Sequence, residues 1–385
     1  MGLGDEKKWS FETRTNRHQF STYLNNGAFE SYLVYESNPG LQGIMYGFAD
    51  QVLSIPGDQK LKLFRLFTAL LSAIVFGLMV TVLAMEFGFL SGALTLAFTI
   101  VSMWIVLPAG SIFWDYWAFY APFLASAYVL ADAAKTGKYR SGRIHTLLFL
   151  AVLIKVLLSG FDLTTTVLVM ATVPFIFHAI YYQWEFKTFL ARMVNVGLVL
   201  LAGTVTGLII LGLQIIVNEG SALNAYTYLL NRFTSHTGGN YEYFDQNLPV
   251  RKIHVLEVLP KYLLMPAIDL PKLGIHILYW HLIVLFAVFT LIYILKHRRQ
   301  GDHLQLPRRG LALLVSTWYS ILAPISWYVT FKPHAFIHTH VNTMGWQMPF
   351  TLLGFALCGY VISDFFISRQ QVLVTLPPAP ASQTD

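Results

Sequence analysis

The sequence predicts an all-α membrane protein with about nine transmembrane helices, and three observations predict it. Charged residues make up 12% of the 385 positions, about half of the ~25% usual for a soluble domain. Hydrophobic residues make up 55% and aromatic residues 15%, with a mean hydropathy of +0.55. The apolar residues also gather into charge-free stretches of about 20 residues, the length that crosses about 30 Å of hydrocarbon as a helix. A soluble enzyme of this length would need far more Lys, Arg, Asp and Glu to cover its surface.

Five stretches carry no charge at all: 66–85, 87–114, 193–218, 273–295 and 310–331. Segment 116–131 follows Asp115 and is rich in aromatic residues, 163–184 has His178 as its one titratable imidazole, and 345–363 follows a polar, His-containing turn. These three are also expected to span. Segment 144–158 is shorter and contains Lys155, whose long stem lets its ammonium reach a membrane interface from near a helix end.

Basic residues set orientation. The loop 132–143 holds Lys135, Lys138, Arg140 and Arg143, the loop 182–192 holds Lys187 and Arg192, and 296–309 holds Lys296, Arg298, Arg299, Arg308 and Arg309. Short loops enriched in Lys and Arg stay on the cytoplasmic side. That side then also holds the C-terminus, whose end (LPPAPASQTD) has the composition of a disordered tail over 369–385. The net charge of +6 is accounted for by these loops, so nucleic acid is not an expected partner. Cys358 is the single cysteine and lies in an apolar run, which excludes a disulfide framework and a cysteine metal site.

By the same count residues 1–62 form an extracytoplasmic first loop, followed by a transmembrane domain over 63–368 that includes an outer loop at 219–272. Aromatic residues and Gly turns give the first loop the character of a folded segment. It holds no apolar stretch to carry it across a membrane, so either the span count is off by one or, as the folded character of the segment favours, the chain is expected to have lost a leading helix.

Polar residues converge on the outer face. Asp115 sits in Trp114-Asp115-Tyr116-Trp117, Asp162 at a tight turn before three threonines, and Lys332, His334, His338, His340 and Asn342 in one short connection. For each aspartate the alternatives are capping of the following helix or a charge aimed at a substrate. In a regular helix His334 and His338 would stand about 40° apart and His340 well away from both, so a three-histidine metal site needs irregular backbone here. The histidines are either interfacial groups bonded to loop carbonyls, substrate contacts or metal ligands. In the first loop Glu30, Glu36 and Asp50 are the candidate general bases, and Gln42 follows the Asn38-Pro39-Gly40 turn signal. The chain has no Walker loop, no G-x-G-x-x-G, no H-E-x-x-H and no G-x-S-x-G, which removes the support for an ATP-driven pump, an NAD enzyme, a zincin or a serine hydrolase.

Three strings carry a resemblance. YESNPGLQGIMYGFADQVL resembles the first outer loop of GT-C type glycosyltransferases, integral-membrane enzymes that take sugar from a polyprenyl-phosphate carrier. SGFDLTTTVLVMATVPFIFH looks like a tight outer turn bearing an acid in such proteins. KPHAFIHTHVNTMGWQMPF is similar to a Lys-x-His…His-x-His-x-Asn segment of bacterial GT-C-like proteins. The resemblance implies sugar transfer to an envelope acceptor at the outer face of a bacterial inner membrane, with a polyprenyl-phosphate sugar as donor and membrane lipid around it. It implies a catalytic set of Glu36 as the loop base with Asp115 and Asp162 as metal- or phosphate-positioning partners, and a divalent cation as the one cofactor to consider. Gln42, Lys332, His334, His338, His340 and Asn342 would contact the substrate. The family's base lies near the end of the first helix, the helix this chain is expected to have lost. The other readings are a carrier or channel for a small anion or lipid-linked sugar, and a non-catalytic assembly subunit.

Overall fold

The computed structural model describes residues 21–25, 38–238, 253–298 and 306–374, with side chains to 366 in the last helix. Among the described residues the protein is helical apart from one small hairpin. The helices are α1 (Leu41–Val52), α2 (Gly57–Phe87), α3 (Phe89–Val101), α4 (Met103–Ala109), α5 (Tyr116–Thr136), α6 (Ser141–Ser159), α7 (Thr164–Tyr181) and α8 (Phe186–Glu219). They continue as α9 (Ala222–Gly238), α10 (Val255–Leu263), α11 (Tyr279–Arg298), α12 (Arg308–Ser320), α13 (Leu322–Thr330), α14 (Lys332–Ile337), α15 (Thr339–Asn342) and α16 (Phe350–Val374). Strands β1 (Pro266–Leu270) and β2 (Ile275–Leu278) pair antiparallel before α11.

Seven of these stretches are long and apolar enough to cross a bilayer: 57–87, 141–159, 164–181, 186–219, 279–298, 308–330 and 339–366. The pair α3–α4, bent by 65° at Ser102, makes an eighth if it counts as one span. The expected count of about nine also included α5. That helix has 21 residues, but Asp132, Lys135 and its Tyr, Ser and Thr hydroxyls make it less apolar than the spanning stretches. Three boundaries also move. Residues 275–278, expected to open a span at 273, form β2 instead, a run of apolar residues too short for periodicity to assign. α2 begins at Gly57, inside the segment assigned to the first loop, and α16 runs to Val374, past the expected start of the tail.

The apolar side chains divide between lipid and core. Leu66, Leu70, Ile74 and Leu78 of α2 and Leu198, Leu201 and Ile209 of α8 are exposed from the protein, as a lipid-facing surface requires. Inside, a large cluster joins Phe76, Trp104, Tyr116, Tyr120, Tyr279, Trp327 and Trp346, and a second joins α5, α6, α7 and α8 through Leu148, Val152, Phe175 and Leu200. Small residues let helices approach closely where no water drives them together. Gly207 of α8 faces Val156 of α6, and Gly359 of α16 lies against the backbone of Leu90 and Ser91.

A buried polar network fixes the bend in α3–α4. The Gln347 amide donates to the hydroxyl of Ser102 at 3.3 Å and to that of Tyr279 at 2.7 Å, and Tyr120 donates to the Gln347 carbonyl at 3.2 Å. In a water-free interior each of these groups would cost about 1–3 kcal/mol if left unpaired, so the side chains specify one arrangement of the broken helix.

The basic loops gather at one end of the bundle. Arg192 stacks on Tyr139 and Trp184, Arg309 reaches the Tyr181 hydroxyl, and Lys296 pairs with Asp364 at 2.6 Å. The opposite end holds the Asn38-Pro39-Gly40 turn, Asp115, Asp162 and the histidine segment.

Candidate functional site at the polar end

Asp115 is the N-cap residue of α5, yet its side chain makes no cap hydrogen bond. It is 4% exposed, and its carboxyl meets the Gln42 amide from the first loop and the Trp117 indole. Burial pushes its pKa up to about 6, and those two donors beside it hold the rise in check. Gln42 is itself buried in α1 and donates to the carbonyl of Ile112. Of the two alternatives for Asp115, capping does not occur: the carboxyl is engaged from α1 and does not cap its own helix.

Asp162 does not cap α7 either, because Leu163 takes the N-cap position with a left-handed φ of 51°. The Asp162 carboxylate accepts from the Trp114 indole at 3.3 Å, which joins the two aspartate loops. Beneath them Lys155 is fully buried, against the expectation that it would snorkel to the interface. Its ammonium donates to the carbonyls of Gly160 at 2.8 Å and Asp162 at 2.6 Å and lies 4.8 Å from the Phe119 ring. Glu36 lies outside the described residues.

Next to this loop an open cleft of about 880 Å³ separates α2 from the bent pair. Ala69, Ser72 and Phe76 line one wall and Ile105 the other, and Arg65 and Phe113 also line it. Residues 110–113 complete the lining two positions before Asp115, which is itself buried and does not line the cleft.

The histidine segment is irregular, as a joint contribution of its histidines demands: α14 ends at Ile337 and α15 starts at Thr339, with His338 between them. The rings of His334 and His338 stand 4.7 Å apart and those of His338 and His340 5.8 Å apart. His236 of α9 joins them, 4.6 Å from His334. Asn342 is fully buried and bonds to His334, whereas Lys332 opens α14 and takes no part in these ring contacts. Among the described residues no group of three or more His, Cys, Asp or Glu side chains is arranged to hold a metal ion.

His236 and Arg232 were not legible as site residues. They lie about 100 positions upstream, and their only signal was an i,i+4 pair of basic groups on one helix. Gly345, just after the histidine segment, packs beside Leu163 of the Asp162 turn: a Cβ there would stand 3.6 Å from Leu163 and from the Tyr328 hydroxyl.

Burial lowers the pKa of His334 well below the ordinary imidazole value, with the neighbouring His236, His338, Arg232 and His340 adding to the effect. Burial first, then neighbouring positive charge, takes His236 and His338 down to about 4. Unfolded histidine binds its proton near 6.5. Between that value and about 4 the unfolded chain takes up protons that the folded one refuses, so stability falls as pH falls. Thermal unfolding in detergent should drop by on the order of 5 °C between neutral pH and about pH 5. His338→Gln should flatten that dependence, and an unchanged slope would contradict the assignment.

The fold and this end together define a multi-pass α-helical membrane protein with a buried carboxyl, an apolar cleft and a histidine cluster at one end. Protein-family models, curated proteins and solved structures provide no match to the chain.

Proposed function

We propose that this protein is a GT-C type glycosyltransferase of a bacterial inner membrane, crossing it nine times with α5 as the ninth span and with its C-terminus in the cytoplasm. It transfers a sugar from a polyprenyl-phosphate carrier to an envelope acceptor at the outer face. The observation that carries the reading is the apolar cleft between α2 and the bent pair, lined by Arg65 and by residues 110–113, which lead directly into Asp115. A polyprenyl chain needs an apolar groove open to lipid, and its phosphate needs a cation at the membrane edge.

Asp115 fits the base. A carboxyl with a pKa near 6 is ionised at neutral pH and is still a competent proton acceptor. The acceptor hydroxyl oxygen bonds to the anomeric carbon as the carbon–oxygen bond to phosphate breaks. The hydroxyl proton passes to Asp115, and polyprenyl phosphate leaves with the electron pair. Asp162, held by Trp114, fixes the neighbouring loop, and the histidines and Lys332 add donors and charge at the same end.

Membranes containing the protein and a labelled polyprenyl-phosphate sugar should discharge the carrier, with a rate that rises through about pH 6 and then levels. Asp115→Asn should cost about 100-fold or more. An intact carrier over hours with the wild-type protein would overturn the reading.

A further inference from the structure

The histidine cluster contains a hydrogen-bond chain whose direction is fixed by its first member. An indole N–H can only donate. The Trp327 indole nitrogen lies 3.1 Å from Oδ1 of Asn342, so the oxygen of that amide faces Trp327 and the NH₂ faces the other way. On that side are Nδ1 of His334 at 3.2 Å and its own carbonyl at 3.4 Å, with the Tyr262 hydroxyl as a further partner of the amide, whose NH₂ has no lone pair to accept a proton from Nδ1. Turning the amide over would set donor against donor at Trp327 and oxygen against oxygen at the carbonyl. Asn342 is fully buried, so no water relieves either clash.

We infer that Trp327 and Asn342 are positioning residues that hold His334 as the neutral tautomer with its proton on Nε2, making it a fixed donor to a phosphate oxygen of the substrate. Nδ1 has to accept from Asn342, so the one exchangeable hydrogen of the neutral ring resides on Nε2. A ring in that state cannot bind a metal through Nε2 or act there as a base. It can donate a hydrogen bond, and His236 and His338 pack against it at 4.6 and 4.7 Å. The charge of Arg232 acts on all three imidazoles, and His340 lies beyond His338. Donors beside a guanidinium suit an anionic oxygen and repel a cation. The phosphate ester as ligand rests on the function proposed above, while the tautomer does not.

The test is the nitrogen NMR spectrum of full-length protein in nanodiscs, labelled with ¹⁵N in histidine rings and assigned by subtracting a His334→Ala sample. The wild type should show an unprotonated Nδ1 and a protonated Nε2 on His334. Asn342→Asp replaces the donor by an acceptor and should move the proton to Nδ1, and Trp327→Phe, which keeps the ring face, should give a mixture of both forms. Geranyl phosphate should shift the Nε2–H signal at lower concentration than inorganic phosphate does. A proton on Nδ1 in the wild type, or an Asn342→Asp spectrum identical to the wild type, overturns the relay. A correct tautomer untouched by either phosphate overturns the ligand class, and a shift equal for both assigns the site to free phosphate and overturns the lipid-linked source. If carrier discharge fails while the tautomer and the geranyl phosphate shift hold, the transferase reading falls and the relay stands.

Discussion

Gly359→Ala should unfold the bundle at the seam where α16 meets the backbone of α3. The methyl group would stand 2.6 Å from the carbonyl oxygen of Leu90 and from the backbone of Ser91. Backbone cannot rotate away as a flexible side chain would, so α16 and α3 have to separate. The seam is otherwise tight: Ser91 and Thr95 are fully buried, and the Thr95 hydroxyl reaches the Leu352 carbonyl at 3.2 Å. Overpacking of this kind costs about 3 kcal/mol, at the upper end of the usual range. Because α3 leads to the bend at Ser102, the cleft should widen together with the loss of stability. Gly197→Ala is the matched control. Nothing lies within 4 Å of a Cβ at that position on α8, and alanine there should hold or raise stability through its better helix propensity. Thermal unfolding of both variants in one detergent decides the point, and equal midpoints would refute the close approach.

Lys155→Met should be nearly as damaging, for a different reason. The side chain keeps its length and apolar stem but loses the ammonium that satisfies the carbonyls of Gly160 and Asp162. A buried carbonyl without a donor costs about 1–3 kcal/mol, so two of them cost about 2–6 kcal/mol together. Lys155→Arg should not rescue. The planar guanidinium is larger than the ammonium and demands a fork of acceptors, while Lys155 sits among carbonyls, the Thr164 hydroxyl and the Phe119 ring. The turn 160–163 should loosen in both variants and Asp162 should leave the Trp114 indole, which lies 3.3 Å away in the wild type. Loss of stability together with a change in Trp114 fluorescence, read against a Trp114→Phe background, is the expected result. A stable Lys155→Met protein would show that the ammonium is dispensable.

The bundle was legible because its signals are sums over neighbours in sequence. Twenty apolar residues in a row, a Gly after the last, and clustered Arg and Lys in the next loop need no knowledge of any other segment. Lys155 shows where such reading stops. Its position near a helix end was visible, but both the interface and the carbonyls of the next turn were destinations for its ammonium, and only the fold of residues 160–164 chose between them. The same holds for Asp115, whose capping geometry is local while its actual partner, Gln42, comes from 73 positions earlier and arrives only when α1 docks beside the 110–115 loop.

Composition and spacing by themselves determined that this chain lies in a membrane as many helices, with its basic loops and its acidic and imidazole residues in separate connections. The tertiary structure decided which of those connections meet. It bent α3–α4 at Ser102, left the span count at seven or eight by apolarity, opened a cleft beside Asp115 and brought His236 onto His334 across about 100 residues of chain. The physical reason is that helix formation in a bilayer is settled within each segment by backbone hydrogen bonding and apolarity. The meeting of two polar side chains depends instead on packing between segments, where one glycine or one buried amide sets the distance.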